Sequence, residues 1–401
     1  MSKQKLKLAA AAAALVAGLG LGQANAETVR FWYHFDNPEN PMSGLVEKFE
    51  KQNPDITVEA DNVPWNSYYD NLYTAIVGGN APDAAMVKLF AQPRLVEMGA
   101  LEPIGDRIEA WDGKKELLDN LLSLNAGPQG KQFYLPIQYV VLYLYYRADL
   151  FKEAGLEPPK TCEEFRRDAK ALTKAPDRYG FGFRGGKGGW DQWGTFVLSR
   201  GAKLEPGGLT TPEAIKANQW LVDMFQKDKS IPPSAPNDGF QEIIGAFKSG
   251  KTAMTIHHIG SANDLVAALG DKVSAVPVPK CDGTAWTSYG DESLAIFSAS
   301  EHKDAAWKWI SFLAEPENNV AFVKATGQMP VTKTGSKTYD GHPKRFVEAT
   351  VDSLPFAHVL PQTSATADFV NTEWQTAMQQ ALTGQITAEA MMEKLQGIFT
   401  E

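Results

Sequence analysis

The sequence predicts an α/β protein of two lobes, and three observations carry that expectation. At 401 residues the chain is longer than one compact domain usually runs. In its first half, strand-like and helix-like stretches alternate at the spacing of repeated β–α units, which gives a mostly parallel sheet with helices on its faces. The third is LPIQYVVLYLYY at 135–146. It is too short to span a membrane and too rich in Tyr and Val for a helix, so it reads as a long strand able to leave one lobe and enter the other.

The chain opens MSKQKLKLAAAAAALVAGLGLGQANAE. Lys3, Lys5 and Lys7 form a basic leader, Leu8 to about Leu21 an apolar run, and Ala24-Asn25-Ala26 a small-residue cleavage motif, so residues 1–26 read as an export signal cleaved after Ala26. That run falls short of the roughly 20 residues a membrane anchor needs. Losing three lysines and no carboxylate takes the formal charge from −9 to −12. An acidic surface argues against nucleic acid or an anionic membrane as a general partner. Cys162 and Cys281 are the only cysteines; an oxidising compartment permits a bridge between them, and two free thiols are the alternative.

The mature chain starts with a strand over 29–35 that contains FWYHF. Strand alternation sends Phe31, Tyr33 and Phe35 to one face and Trp32 and His34 to the other. A helix follows at MSGLVEKFEKQNP, with Leu45, Val46 and Phe49 on one side and Pro54 as its stop. ITVEA (56–60) is the second strand. WNSYYDNLYTAIVGG is a helix with Tyr68, Tyr69, Leu72 and Ile76 on one side, ended by Gly78 and Gly79, and DAAMVKL is the third strand.

Beyond 146 come a short helix, a Gly/Pro turn, and a longer helix capped by Thr161 with Glu164 three residues on. FGFRGGKGGWDQWGTFVLSRGA is glycine-rich without the order of a phosphate-binding loop. It reads either as a flexible surface loop or as a ligand loop using Trp, Arg184 and backbone N–H groups. GFQEIIGAFKSGKTAMTIHH runs from helix into strand, DESLAIFSAS (291–300) is a further strand, and Glu315-Pro316 interrupts the helix KDAAWKWISFLAEPENNVAFVKATG. The last sixty residues read as mostly helical.

Motifs for catalysis and metal binding are missing: no G-x-S-x-G elbow, HExxH, EF-hand loop or paired cysteines. His257 and His258, adjacent on a strand, should send their rings in opposite directions. What remains suits a small molecule with C–H faces that stack on aromatic rings and hydroxyls that need directed hydrogen bonds. In α/β proteins such groups gather just beyond the carboxyl ends of strands. The candidates are Trp32, His34 and Asp36 after the first strand, Trp65, Asn66 and Tyr68 after the second, and Lys88 and Phe90 after the third. Gln138, Tyr139, Arg184, Trp190, Trp193, His257 and Asp291 follow from later segments. Each has a structural alternative, core for the aromatic rings and solvated charge for Lys88. An exported glycoside hydrolase is the rival from another class.

Six segments, in order, resemble the extracellular solute-binding proteins of bacterial ABC importers, in the broad sugar-binding family that includes the maltose- and glycerol-3-phosphate-binding proteins. They are FWYHF, LVEKFEKQNPDITVE, GNAPDAAMV, LPIQYVVLYLYYRADLFKEAGLEPPKTCEEF, AFKSGKTAMTI and AAWKWISFLAEPENNVAFVKATGQMPV, and they cover most of residues 29–332. The resemblance implies the periplasmic-binding-protein fold, two α/β lobes joined by a hinge with the ligand cleft between them. Residues 27–137 and 292–332 would form the first lobe, 138–291 and 333–401 the second. It also implies a saccharide or polyol ligand, a membrane permease as partner, no cofactor, no metal, a periplasmic location and a monomeric chain. A phosphorylated or sulfonated polyol is the other ligand class. The cleft positions it implies are Trp32, His34, Lys88, Phe90, Gln138, Tyr139, Gly185, Gly186 and the residues on to Trp193, and His257 to Gly260. Two departures stand out: Cys162 where the family often has Trp, and Arg147 where it has Asn.

Overall fold

The computed structural model describes residues 27–35, 41–361 and 363–399. Residues 1–26, read from the sequence as an export signal, and the candidate Asp36 lie outside the described residues. Within them, eleven strands form two sheets. The strands are β1 (Glu27–Tyr33), β2 (Ile56–Asn62), β3 (Ala84–Val87), β4 (Leu135–Val141), β5 (Tyr143–Arg147), β6 (Tyr179–Gly182), β7 (Thr252–His257), β8 (Val273–Val276), β9 (Thr287–Ile296), β10 (Met329–Pro330) and β11 (Ala357–His358). The first sheet runs β10-β4-β9-β3-β1-β2, with β11 also beside β9; the second runs β6-β7-β5-β8.

The expectation of a mostly parallel sheet needs correcting. In the first sheet β2-β1-β3 is parallel, where β–α crossovers connect the strands, and β11 is parallel to β9. β9 arrives from the second lobe and enters against the direction of β3 and β4, and β10 is antiparallel to β4. The second sheet is mixed as well, parallel between β6 and β7 and antiparallel across β5.

The long run at 135–146 is two strands, one in each sheet, and the chain changes sheets at Leu142. That crossing is tied to the start of β9: the Leu142 N–H donates to Thr287 Oγ1 at 3.0 Å, and the Thr287 hydroxyl lies 2.9 Å from the Leu142 carbonyl. Both crossing segments are thereby held side by side where the two sheets meet.

Alternation in β1 does what FWYHF predicts for its odd residues. Phe31 and Tyr33 are buried, Phe31 edge-on to Trp309 at 5.7 Å, and Phe35 packs on Tyr33 and Phe322 at 5.2 Å from each. This core continues through Leu45, Phe49, Ile56 and Phe312. A second core gathers Phe165, Phe181, Phe196, Trp193, Trp374 and Met391. The helix Cys162–Leu172 begins with the expected capping box: Thr161 Oγ1 accepts from the Glu164 N–H, and Glu164 returns to accept from that of Thr161, both at 3.1 Å. Its first residue, Cys162, is disulfide-bonded to Cys281, 119 positions away in sequence. Pro316 starts a new helix, Pro316–Thr326, after Lys303–Leu313, because its ring is pre-set for the first helical position and has no N–H to lose there.

Candidate functional site

The residues that close the first sheet's carboxyl edge converge on one buried carboxylate, Glu292, which is 5% exposed. β9 carries it to the seam between the sheets, opposite Gln138 in the β4 register. Two partners offset the cost of its burial. The Lys88 ammonium, one residue beyond β3, lies against Oε1, and His34 Nε2, one residue beyond β1, lies 3.2 Å from Oε2. Burial raises the carboxyl's proton affinity, but Lys88 and His34 outweigh it and hold Glu292 below the usual carboxylate range. His34 and Oε2 are close without being aligned: among the described residues neither His34 Nε2 nor Glu292 Oε2 makes a hydrogen bond.

Aromatic rings frame the cluster. His34 lies 4.8 Å from the ring centres of both Trp65 and Tyr68, and the Lys88 ammonium sits 5.2 Å above Trp65. Tyr68 is held from behind, its hydroxyl donating to the Met86 carbonyl at 2.8 Å with that of Trp32 at 3.2 Å. Tyr69 accepts the Lys88 N–H at 2.8 Å and packs on Phe90, with 5.0 Å between ring centres. Burial, and secondarily the charge on Glu292, push both phenols well up, so they are neutral hydrogen-bonding groups. Phe90 touches both hydrophobic cores and marks the line along which the lobes meet.

The second lobe faces this with histidines and a guanidinium. β7 ends at His257, and His258 opens the turn Ile259–Ser261, its Nδ1 accepting from the Gly260 N–H at 3.1 Å. Burial above all, then the positive charges of Lys88 and Arg184, push His258 down to about 3. His257 is likewise pushed well down, by burial, by His258 and by Arg184, and it shares a contact of 3.2 Å with Ser261 Oγ. Lys88 from the first lobe and Arg184 from the second therefore act on one imidazole. Arg184 is balanced by Asp191, whose carboxyl burial pushes up to about 6 against the pull of the guanidinium. Arg184 Nε is buried with no hydrogen bond among the described residues, and so is Oε1 of Gln328, whose amide nitrogen side lies against Gly260.

The structure thus brings together His34, Trp65, Tyr68, Lys88 and Phe90 from one side and His257 and Arg184 from the other. Gln138 reaches the seam, where its Oε1 accepts from Thr326 Oγ1 at 2.7 Å. Trp32 is half-buried against the first core, and Asn66 is exposed beside Trp65. Tyr139 turns away from Gln138 and stacks on Tyr289 at 6.4 Å. Trp190 is half-buried against the second core. Asp291 occupies the β9 position opposite Tyr139.

Three expectations are corrected. Trp193 is fully buried, its indole N–H spent on Asn218 Oδ1 at 2.9 Å, so it belongs to the second core and presents no face to a ligand. Gly185 and Gly186 do not offer N–H groups to a ligand either, because these donate to the carbonyls of Ala235 (3.0 Å) and Asp238 (2.9 Å). Both are glycine because a Cβ would come within 2.4 Å and 2.8 Å of those same oxygens. The cluster is a packing device that seats Arg184.

Sequence reasoning missed Glu292 in favour of its neighbour Asp291, and missed Asp191 and Gln328. DES at 291–293 offered two adjacent carboxylates; only the register of β9 against β3, which sets Ser293 opposite Val87, puts Glu292 level with Lys88.

Two α/β lobes, joined by crossing strands and meeting at an aromatic-lined seam with unbonded polar atoms, define a two-lobed binding protein. The family model for bacterial extracellular solute-binding proteins matches residues 36–320, and the chain belongs to that family. It is a solute-binding protein of transport, not an enzyme, which removes the glycoside hydrolase alternative. The chain is 26% identical over 342 residues to the maltodextrin-binding protein of Bacillus subtilis (strain 168), covering 80% of this chain and 77% of that one. It is 25% identical over 346 residues to the sn-glycerol-3-phosphate-binding periplasmic protein of Escherichia coli, covering 77% and 76%. The fold matches that of an ABC transporter solute-binding protein from Thermotoga lettingae, solved with α-D-tagatose, with a TM-score of 0.82 and 24% identity over 93% of this chain and 99% of that one.

Proposed function

We propose that this protein captures a neutral mono- or short oligosaccharide in the seam between its lobes by closure and delivers it to the membrane permease of an ABC importer from the periplasm, acting as a monomer. The observation that carries the ligand class is the ion pair of Lys88 with Glu292, alongside the carboxylate of Asp191 acting through space on Arg184. Lys88 and Arg184 are thus each offset by a carboxylate of the protein, while Trp65, Tyr68 and Phe90 offer apolar surface and His34, Glu292, Arg184 and Gln328 offer polar atoms without a hydrogen bond among the described residues. That combination suits a ring with C–H faces and a rim of hydroxyls. The maltodextrin-binding relative and the tagatose complex support a sugar.

A phosphorylated polyol is the second reading, favoured by the glycerol-3-phosphate-binding relative and by the convergence of Lys88, Arg184 and two histidines. Closure follows from the division of the site, since a ligand held by both lobes gains its full set of contacts only when they approach. Calorimetry against neutral saccharides and their phosphorylated counterparts tests the ligand class. Small-angle scattering with and without the sugar that binds tests closure. Exclusive binding of phosphorylated members, or an unchanged radius of gyration, would contradict it.

A further inference from the structure

Glu292 does more than offer an oxygen to a ligand. Its carboxylate is buried at the seam, against the Lys88 ammonium on one side and 3.2 Å from His34 Nε2 on the other. From the second lobe, His258 lies within the electrostatic reach of Lys88, Glu292 and Arg184 alike. A carboxylate set between a cation and an imidazole occupies the place where a ligand's own acid group would otherwise go. Without Glu292 the Lys88 ammonium and the His34 imidazole would face one position suited to an anion. With it, the first-lobe wall is internally neutralised.

We propose that Glu292 is a resident counter-anion that sets the charge class of the solute: it holds Lys88, admits neutral polyhydroxy molecules, and excludes phosphorylated ones by like-charge repulsion. This rests on the seam being the solute site, as proposed above. The two unbonded atoms, His34 Nε2 and Glu292 Oε2, read a neutral hydroxyl, which donates to the carboxylate while the imidazole bonds to the same oxygen. A phosphate dianion has no proton to donate to Glu292, and its charge beside the carboxylate lowers affinity by about a hundredfold or more. Specificity then comes from a repulsive element as well as an attractive one.

The decisive probes are inorganic phosphate and sn-glycerol 3-phosphate, each titrated at constant ionic strength with chloride as the control while the unfolding midpoint is followed. The wild-type chain is expected to show no phosphate-specific shift. Glu292→Gln and Glu292→Ala remove the carboxylate beside the Lys88 ammonium, and both are expected to gain a rise of about 2 °C or more at millimolar phosphate. Glu292→Ala leaves room for an anion, so acetate should raise its midpoint as well. Adding Lys88→Met to either variant should abolish the gain. A phosphate-specific rise in the wild type, or a folded Glu292→Gln protein with no response, overturns the proposal. The wild-type arm decides even if both variants fail to fold. If glucose, maltose and maltotriose all fail to bind the wild type while Glu292→Gln takes phosphate, the sugar reading falls and the counter-anion stands.

Discussion

The rings of His257 and His258 lie against each other, tilted by 39° with their centres 4.1 Å apart, although neighbours on a strand should point to opposite faces. The strand ends at His257, and His258 begins the turn Ile259–Ser261, so its side chain is no longer bound by the alternation. Phe240 covers His257 from the other side at 4.8 Å. Two imidazoles packed together at the seam, near Lys88 and Arg184, are stable only while neutral, and this makes the seam sensitive to acid.

The direction can be worked out for His258. In the unfolded chain its imidazole takes up a proton near 6.5; in the folded one, burial and then Lys88 and Arg184 delay that to about 3. The neutral ring therefore contributes its full stability above pH 6.5, and the contribution is lost as pH falls from there toward 3, at about 1.4 kcal/mol per pH unit. His257 adds to the effect in the same direction. Urea unfolding of the wild type and of His258→Asn between pH 7 and 4.5 checks it. The variant should show the flatter profile, and parallel profiles would place the acid sensitivity elsewhere.

The buried ion pair makes a second, independent expectation. Lys88→Met strands the Glu292 carboxylate at 5% exposure with only His34 beside it, and should cost about 3–5 kcal/mol. Replacing both partners, Lys88→Met with Glu292→Met, removes the stranded charge and should recover most of that loss. Denaturant midpoints of the two single variants and the double one form the cycle that measures the coupling.

Much of the fold could be read from periodicity, because the signals were local. Leu45 and Phe49 on one helix face, the Thr161–Glu164 box and the Pro316 break each depend on residues within one turn of one another. The direction of β9 and the level at which it meets β3 are not local. They follow from the chain's return across the seam, and they decide that Glu292 rather than Asp291 meets Lys88. Trp193 failed for a related reason: an indole suits a sugar face and a core equally, and what makes it core is Asn218, twenty-five residues on, waiting for its N–H. His34 reaches the seam beside Glu292 because it stands one residue beyond β1, a position visible in five residues of sequence.

Trp65 and Trp193 should therefore part company on substitution. Trp65 is half-exposed at the seam under Lys88, and Trp65→Ala should weaken binding of the sugar found by calorimetry by about tenfold or more with little change in the unfolding midpoint. Trp193→Ala opens a cavity in the second core and leaves Asn218 without its donor, so it should cost about 3–5 kcal/mol. Trp193→Phe, which keeps most of the volume, should bind the sugar with near wild-type affinity. Loss of binding in that folded variant would return Trp193 to the site.

The disulfide belongs to the second lobe alone. Cys162 heads the helix Cys162–Leu172 and Cys281 lies in the strap 278–284, where the Cys162 N–H donates to the Lys280 carbonyl at 3.0 Å and both sulfurs are fully buried in the second core. Closing a loop across 119 positions restricts the unfolded chain, and removing the bridge should cost about 2–5 kcal/mol. None of the seam residues touches it: Cys281 contacts the Thr195 carbonyl on the helix Trp190–Val197, behind the face that seats Arg184. Intact mass before and after alkylation without reductant should show no free thiol in the exported protein. The Cys162→Ser/Cys281→Ser double variant should melt lower yet keep its affinity for the sugar. A variant that stays folded and loses binding would show that the bridge positions the Arg184 loop, and the second lobe's half of the site would then depend on the oxidising compartment.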